Sequence, residues 1–143
     1  TPTNVGGYPA SVMFTYLAGP LVVSLPHDLK PYVKMVNKKT SAGDNSATIN
    51  TNPMRLFSFS EIEVWGGTKG SFSGEGSPYS IVSVGGVDNR IKKLNNGNGA
   101  AKNWWLRSPR YGTSTKFCCI LPNGETHSDY ANTSYGVCFG FCI

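Results

Sequence analysis

The chain has 143 residues, a formal net charge of +5 and 39% hydrophobic residues, with 17 glycines and 9 prolines. That suffices for one core and one domain but is too turn-rich for a helical bundle, and the 12% aromatic content argues against disorder. The basic residues are scattered, with Lys38-Lys39 and Lys92-Lys93 the adjacent pairs, which favours a solvated surface over a nucleic-acid interface; no apolar stretch approaches the roughly 20 residues needed for membrane insertion.

The opening TPTNVGGYPA has neither a basic region nor an apolar one, and without an initiator Met the chain is expected to be the C-terminal part of a longer protein. In PASVMFTYLAGP (9–20), Met13, Leu17 and then Leu21 recur every four residues, predicting a short helix that starts near Pro9, is closed by Gly19-Pro20 and turns one side to the core. In LPHDLKPYVKMVNKK (25–39), Leu29, Val33 and Val36 fall at i, i+4 and i+7 while Lys30, Lys34 and Lys38 point elsewhere, predicting a second amphipathic helix with Asp28 near its start and Pro31 in its first turn.

Residues 40–53 are polar and turn-rich, expected as a loop or weak hairpin. An apolar strand-like piece then leads into Ser60, where Ser60 and Glu63 have capping-box spacing, so a short helix should start there and end by Gly66-Gly67. Residues 66–90 read as a long irregular connection, of the kind that is functional or tightly packed. NNGNG (95–99) is of low complexity. From Trp104 the period becomes two: FCCIL (117–121), a turn at Pro122-Asn123-Gly124, a polar stretch, and YGVCFGFCI (135–143) predict antiparallel strands. In the last of these, Val137, Phe139, Phe141 and Ile143 share one face and Cys138, Gly140 and Cys142 the other. Helices first and strands later make the class α+β: two short helices on a small antiparallel sheet with long irregular loops.

The segments NVGGYPASVMFTYL, LPHDLKPYVKMVNKKT, LFSFSEIEVWG, GEGSPY, RIKKL, NWWLRSP and YGVCFGFCI, in this order over nearly the whole chain, resemble a domain family of bacteria and their phages with the C-type-lectin-like fold. The most specific pieces are the Trp-Leu-Arg-Ser-Pro run and the Ser-Glu-x-Glu-x-x-Gly run before it. The resemblance implies a single domain over 1–143, a ligand- or receptor-binding end of a phage tail or bacterial surface protein, and a protein or glycan target on a cell surface. A homotrimer suits such a tail assembly. In a subset of the family a diversity-generating retroelement rewrites the C-terminal end by errors at template adenines, which would make 104–143 the variable region here. Changed Asn codons cannot produce Lys, Glu, Gln, Trp or Met; these types number 17 in residues 1–109 and 2, Lys116 and Glu125, in residues 110–143. Two departures stand out. Many relatives end in a Gly-Val-Arg-Pro-like strand, whereas Gly136-Val137 is followed here by Cys138-Phe139, and the calcium- and sugar-holding motifs of the wider fold are absent.

Arg107 reads as structural, its planar fork tying carbonyls or a carboxylate together under the tryptophan faces, with Glu61 or Glu63 as partner, while Trp104, Trp105 and Leu106 supply core area. Cys118, Cys119, Cys138 and Cys142 cluster at the C-terminal end without a CxxC pair, so reduced packing cysteines are expected, with one disulfide as the alternative and no metal. Of the two histidines, His27 and His127, the latter lies in a polar stretch and reads as an exposed loop residue. Neither a nucleophile elbow nor a phosphate loop occurs, so no cofactor is expected and the chain reads as a non-enzymatic binder. The alternatives are a cysteine-dependent enzyme of the formylglycine-generating lineage and a structural virion decoration domain. The candidate binding surface comprises Arg110, Tyr111, Thr113, Thr115, Lys116, Cys118, Ile120, Pro122, His127, Ser128, Asp129, Tyr130, Thr133, Tyr135, Cys138 and Phe139, in turns or at alternate strand positions, because tyrosine gives large contact area at low rotamer cost.

Overall fold

The computed structural model describes residues 1–83, 86–94 and 99–143, so Asn95 to Asn98 of the low-complexity stretch lie outside the described residues. A 3₁₀ turn, Tyr8–Ala10, leads into helix α1, Val12–Tyr16, capped by Ser11, whose hydroxyl accepts from the Phe14 N–H. The helix does not close at Gly19-Pro20. It widens into a π turn, Leu17–Leu21, with Pro20 inside, because proline has no N–H to give and its ring needs room in the preceding turn. Leu17 is fully buried, with Met13 and Leu21 packed on the same cluster, as the spacing of four predicts.

The second predicted helix is absent. Pro31 sits in a 3₁₀ turn, Lys30–Tyr32, after which the chain extends into strand β1, Val36–Ser41. Leu29, Val33 and Val36 all reach the first core cluster, Leu29 from the turn before the 3₁₀ segment and Val33 and Val36 from extended backbone: the Lys34 N–H donates to the Cys142 carbonyl, and β1 pairs along its length with β2, Ile49–Met54. Long-range pairing overrode a helical period that Pro31 had already weakened. Strand alternation also turns Lys38 inward, where it is 8% exposed, contrary to the outward position that a helix gave it. Of the two readings for residues 40–53, the hairpin forms.

Strand β3, Phe57–Ser58, runs into helix α2, Glu61–Trp65, whose capping box and left-handed Gly66 cap (φ 85°) stand as the sequence predicts. The connection beyond it is irregular as far as helix α3, Ser80–Ser83, and a 3₁₀ turn, Val87–Arg90. A small hairpin follows, β4, Lys92–Lys93, with β5, Ala101–Lys102. The main sheet joins β6, Trp104–Pro109, β7, Lys116–Ile120, β8, Thr126–Tyr130, and β9, Gly136–Val137, in the order β8-β7-β6-β9.

The last segment departs from expectation. It is not one antiparallel strand: β9 pairs parallel to β6, the chain then crosses, and β10, Phe139–Gly140, pairs antiparallel with β3. Val137 and Phe139 therefore lie in strands of different sheets rather than on one face of a single strand, and Val137, Phe141 and Ile143 are exposed. Two core clusters result. One gathers Tyr8, Leu17, Val33, Met54, Leu56 and Phe57; the other gathers Val64, Trp104, Leu106, Cys118 and Ile120; Phe59 packs against both. The architecture is α+β. Among the described residues no helix is long and apolar enough to cross a membrane.

Candidate binding surface and the clamp beneath it

The scaffold is fastened by a buried ionic clamp. Arg107 is 0% exposed and Glu63 2%. The guanidinium grips Glu63 with two nitrogens and donates to the carbonyls of Ser58 (2.7 Å), Glu75 (2.6 Å) and Lys39 (3.1 Å). One side chain thus ties β6 to β1, β3, α2 and the long connection. A lysine could not do this, because its ammonium lacks the planar fork that meets a carboxylate and several carbonyls at once. The Lys38 ammonium closes the other side of Glu63, reaching the Tyr79 hydroxyl (2.8 Å) and lying 4.2 Å above the Phe57 ring. Burial pushes the Glu63 carboxyl up, but the Arg107 bonds and charge, the Lys38 ammonium and the Ser60 N–H outweigh it and hold it below the usual carboxylate range.

The partner of Arg107 is Glu63, one of the two expected carboxylates. Glu61 does something else: it accepts from the N–H groups of Lys69, Gly70 and Ser71 and the hydroxyls of Ser71 and Thr126, pinning the irregular connection against β8. Glu75 pins that connection a second time by accepting from the Ser41 N–H, and among the described residues its Oε2 has no partner that meets hydrogen-bond geometry. Burial pushes the Glu75 carboxyl up, with the Ser108 hydroxyl, the Ser41 N–H and the Arg107 charge opposing this only in part. Sequence reading missed Lys38, Glu75, Arg90 and Asn4. For Glu75 a signal existed: it lies between Gly74 and Gly76, and at Gly76 (φ 130°) a Cβ would come within 2.9 Å of Glu63.

The tryptophans divide the work. Trp104 is 2% exposed and donates its indole N–H to the Arg90 carbonyl (2.8 Å). Trp105, next along the strand, points to the opposite face. It is half-buried, with the Tyr135 ring tilted against it at 4.8 Å, so it is not the core residue expected. Nor do tryptophan faces cover Arg107; the guanidinium seated on an indole is that of Arg90, 4.4 Å over Trp65.

Cross-strand pairing sorts the candidate surface. Trp105 lies opposite Cys119, and Cys119 opposite His127; Phe117 lies opposite Asp129, so these residues share the outer face of the sheet. Tyr111, Pro122, His127 and Tyr130 are exposed, and Arg110, Thr113, Thr115, Lys116, Ser128, Asp129, Thr133 and Tyr135 partly so. Two candidates are misplaced: Cys118 and Ile120 are 0% exposed and face the second core cluster. Alternation alone could not assign them, because β7 is covered on both faces and Phe117 and Cys119 are buried as well. Cys138 and Phe139 pack against the second and first clusters respectively and are half-buried, so they serve the scaffold more than a surface. Pro122 stands in the turn after β7, at the opposite end of that strand from Tyr111.

On the outer face the Tyr135 hydroxyl donates to Asp129 Oδ2. That bond, ahead of burial and the carboxylate charge, pushes the Tyr135 phenol up to about 12; the same bond, with the Tyr130 N–H, holds Asp129 below its ordinary range. On the other face, at the strand ends, Lys116 lies 4.6 Å over the ring of its cross-strand partner Tyr130, and in the preceding turn Tyr111 meets Phe72 edge to face. All four cysteines are free thiols. Burial pushes Cys118 and Cys138 up and Cys119 up to about 12.

A cleft of about 480 Å³ opens beside this face, between the N-terminal segment and residues 131–135. Its N-terminal wall is fixed by Asn4, 1% exposed, whose side chain donates to the Thr113 and Lys116 carbonyls and accepts from the Asp44 N–H. The opposite wall is fixed by backbone bonds from Ala131 to Thr115, Thr133 to Tyr130 and Gly136 to Asn103.

Fold and site together define an α+β domain in which a charged, buried clamp holds an exposed polar and aromatic sheet face. The chain belongs to the family described as a domain of unknown function, DUF6273, whose profile matches residues 1–143. No curated protein and no solved structure matches it.

Proposed function

We propose that this chain is a non-enzymatic binding module of C-type-lectin-like fold, the ligand- or receptor-binding end of a phage tail or bacterial surface protein, and that a retroelement diversifies its exposed C-terminal positions. The observation that carries this reading is the separation of clamp from face. Arg107, Glu63 and Lys38 are buried in contacts that none of the exposed or half-exposed candidates shares, so Tyr111, His127, Asp129, Tyr130, Thr133 and Tyr135 can change without loosening the scaffold. Tyrosines with hydroxyl-bearing neighbours suit a protein or glycan target on a cell surface.

The test is sequence variation across isolates. Codons for the exposed positions between 110 and 135 should vary through adenine changes, while Cys118, Ile120, Leu106 and Arg107 stay fixed. Variation spread equally over buried and exposed positions would sink the reading. A cysteine-dependent enzyme has one observation in its favour, since His127 lies directly across from Cys119. That thiol is fully buried and pushed up to about 12, the reverse of what activates a nucleophile.

A further inference from the structure

We infer that the cleft between the N-terminal segment and residues 131–135 is a binding site for a neutral saccharide, one or two pyranose rings held without a metal ion. The inference rests on the reading of the chain as a binding module and adds a ligand class and a location, shared between the N-terminal segment and the C-terminal third. The cleft's size, about 480 Å³, falls within the range of small-molecule sites, roughly 300–1,000 Å³. Among the described residues no ionisable side chain other than Tyr135 lines it, and that hydroxyl is already committed to Asp129. Apart from the α-amino group of Thr1, a charged ligand would find no counter-charge on the walls and would lose its hydration without return.

The wall chemistry selects further among neutral ligands. Trp105 and Tyr135 contribute adjacent rings, and Met13 adds an apolar flank. Asn132, Thr133 and Ser134 follow one another along the rim, and their side chains make no hydrogen bond within the described residues. A pyranose has both complements, a C–H face for aromatic rings and a rim of hydroxyls for amide and hydroxyl partners. An apolar peptide side chain would use the rings and leave the three polar groups idle. The walls are preorganised by Asn4 and by the backbone bonds from Ala131, Thr133 and Gly136, which lowers the ordering cost that limits weak sugar sites.

The experiment is an NMR titration of the intact chain, in the presence of a chelator, with glucose, mannose, galactose, N-acetylglucosamine and their β-1,4 disaccharides. At about 20 mM a millimolar site is almost filled. The expected result is saturable shifts at the Trp105 indole N–H and the amides of residues 131–135. Asn132→Ala and Thr133→Val, both on the partly exposed rim, should each weaken binding several-fold with an unchanged fold, and Trp105→Phe should weaken it about tenfold. No shift with any of these sugars, shifts that map away from the cleft, or a proline-rich peptide filling the cleft when no sugar does would each overturn the inference. The broader reading fails separately. A sugar seated in the cleft alongside invariant Tyr111 and Tyr130 would leave this site standing and remove the diversified surface.

Discussion

Two carboxylates, Glu63 and Asp129, both sit below their ordinary pKa range, and they do so for opposite reasons. Glu63 is 2% exposed, penalised by burial and rescued by two cations. Asp129 is partly exposed and lowered chiefly by one phenol. The first is an element of the architecture, since losing a partner strands a charge out of water. The second is a surface adjustment that water can replace. Similar directions of shift therefore carry unlike consequences for stability, and the contrast marks where substitution is tolerated.

The clamp should break hardest. Arg107→Ala leaves Glu63 with Lys38 as its one cation and strips donors from the Lys39, Ser58 and Glu75 carbonyls, so denaturant unfolding should show a loss of about 3–5 kcal/mol. Arg107→Lys should recover less than half of that, because the fork geometry is missing. A loss under 1 kcal/mol for Arg107→Ala would show that the clamp is ornamental.

The second expectation separates Glu63 from Glu75 by pH. Glu63 is depressed in the fold, so its contribution is present above the unfolded carboxyl value, about 4.3, and fades as pH falls through its lower folded value. Glu75 is raised, so its contribution is present below the unfolded value and is lost as pH rises through its folded one. Glu75→Gln keeps an oxygen for the Ser41 N–H and removes this second dependence. The difference in stability between Glu75→Gln and the parent should thus shift in favour of the variant from about pH 4 upward. A difference that is flat with pH would place the Glu75 carboxyl at its ordinary value.

The helix cap comes next in size. Ser60→Ala removes the hydroxyl that accepts from the Glu63 N–H and donates to the Glu75 carbonyl, and thermal unfolding should register about 1 kcal/mol. This element was legible in sequence because it is local: Ser60, Glu63 and Gly66 fix one another within seven residues. Leu17 and its neighbours were legible for the same reason. Arg107 was legible by chemistry, since few residues suit a loop-rich core so well, though its choice of Glu63 over Glu61 depends on which way α2 aims each of two buried carboxylates, Glu61 toward residues 69–71 and Glu63 toward β6. The failures share a cause as well. Val36 and Lys38 carry a helical period that only the distant strand Ile49–Met54 overrides, and Gly136-Val137 reads as an antiparallel strand until the chain is seen to run beside Trp104-Trp105 in the same direction. Cys118 and Ile120 looked outward because a period of two says that faces alternate, not that one face is open. The cleft needs the N-terminal segment and residues 131–135 to face each other across more than a hundred positions, which no local pattern encodes.

The smallest effect belongs to the outer face. Asp129→Asn replaces a charged acceptor of the Tyr135 hydroxyl with a neutral one at a partly exposed site, so stability should change by less than about 0.5 kcal/mol. The titration should respond far more than the stability. Tyr135 is pushed up to about 12 chiefly by its bond to the Asp129 carboxylate, and without that charge its ring resonances should titrate nearer the ordinary phenol value, about 10. A drop of more than 2 kcal/mol would mean that Asp129 belongs to the scaffold after all. In that case the separation between clamp and face, on which tolerance of change at the surface depends, would not hold on this side of the sheet.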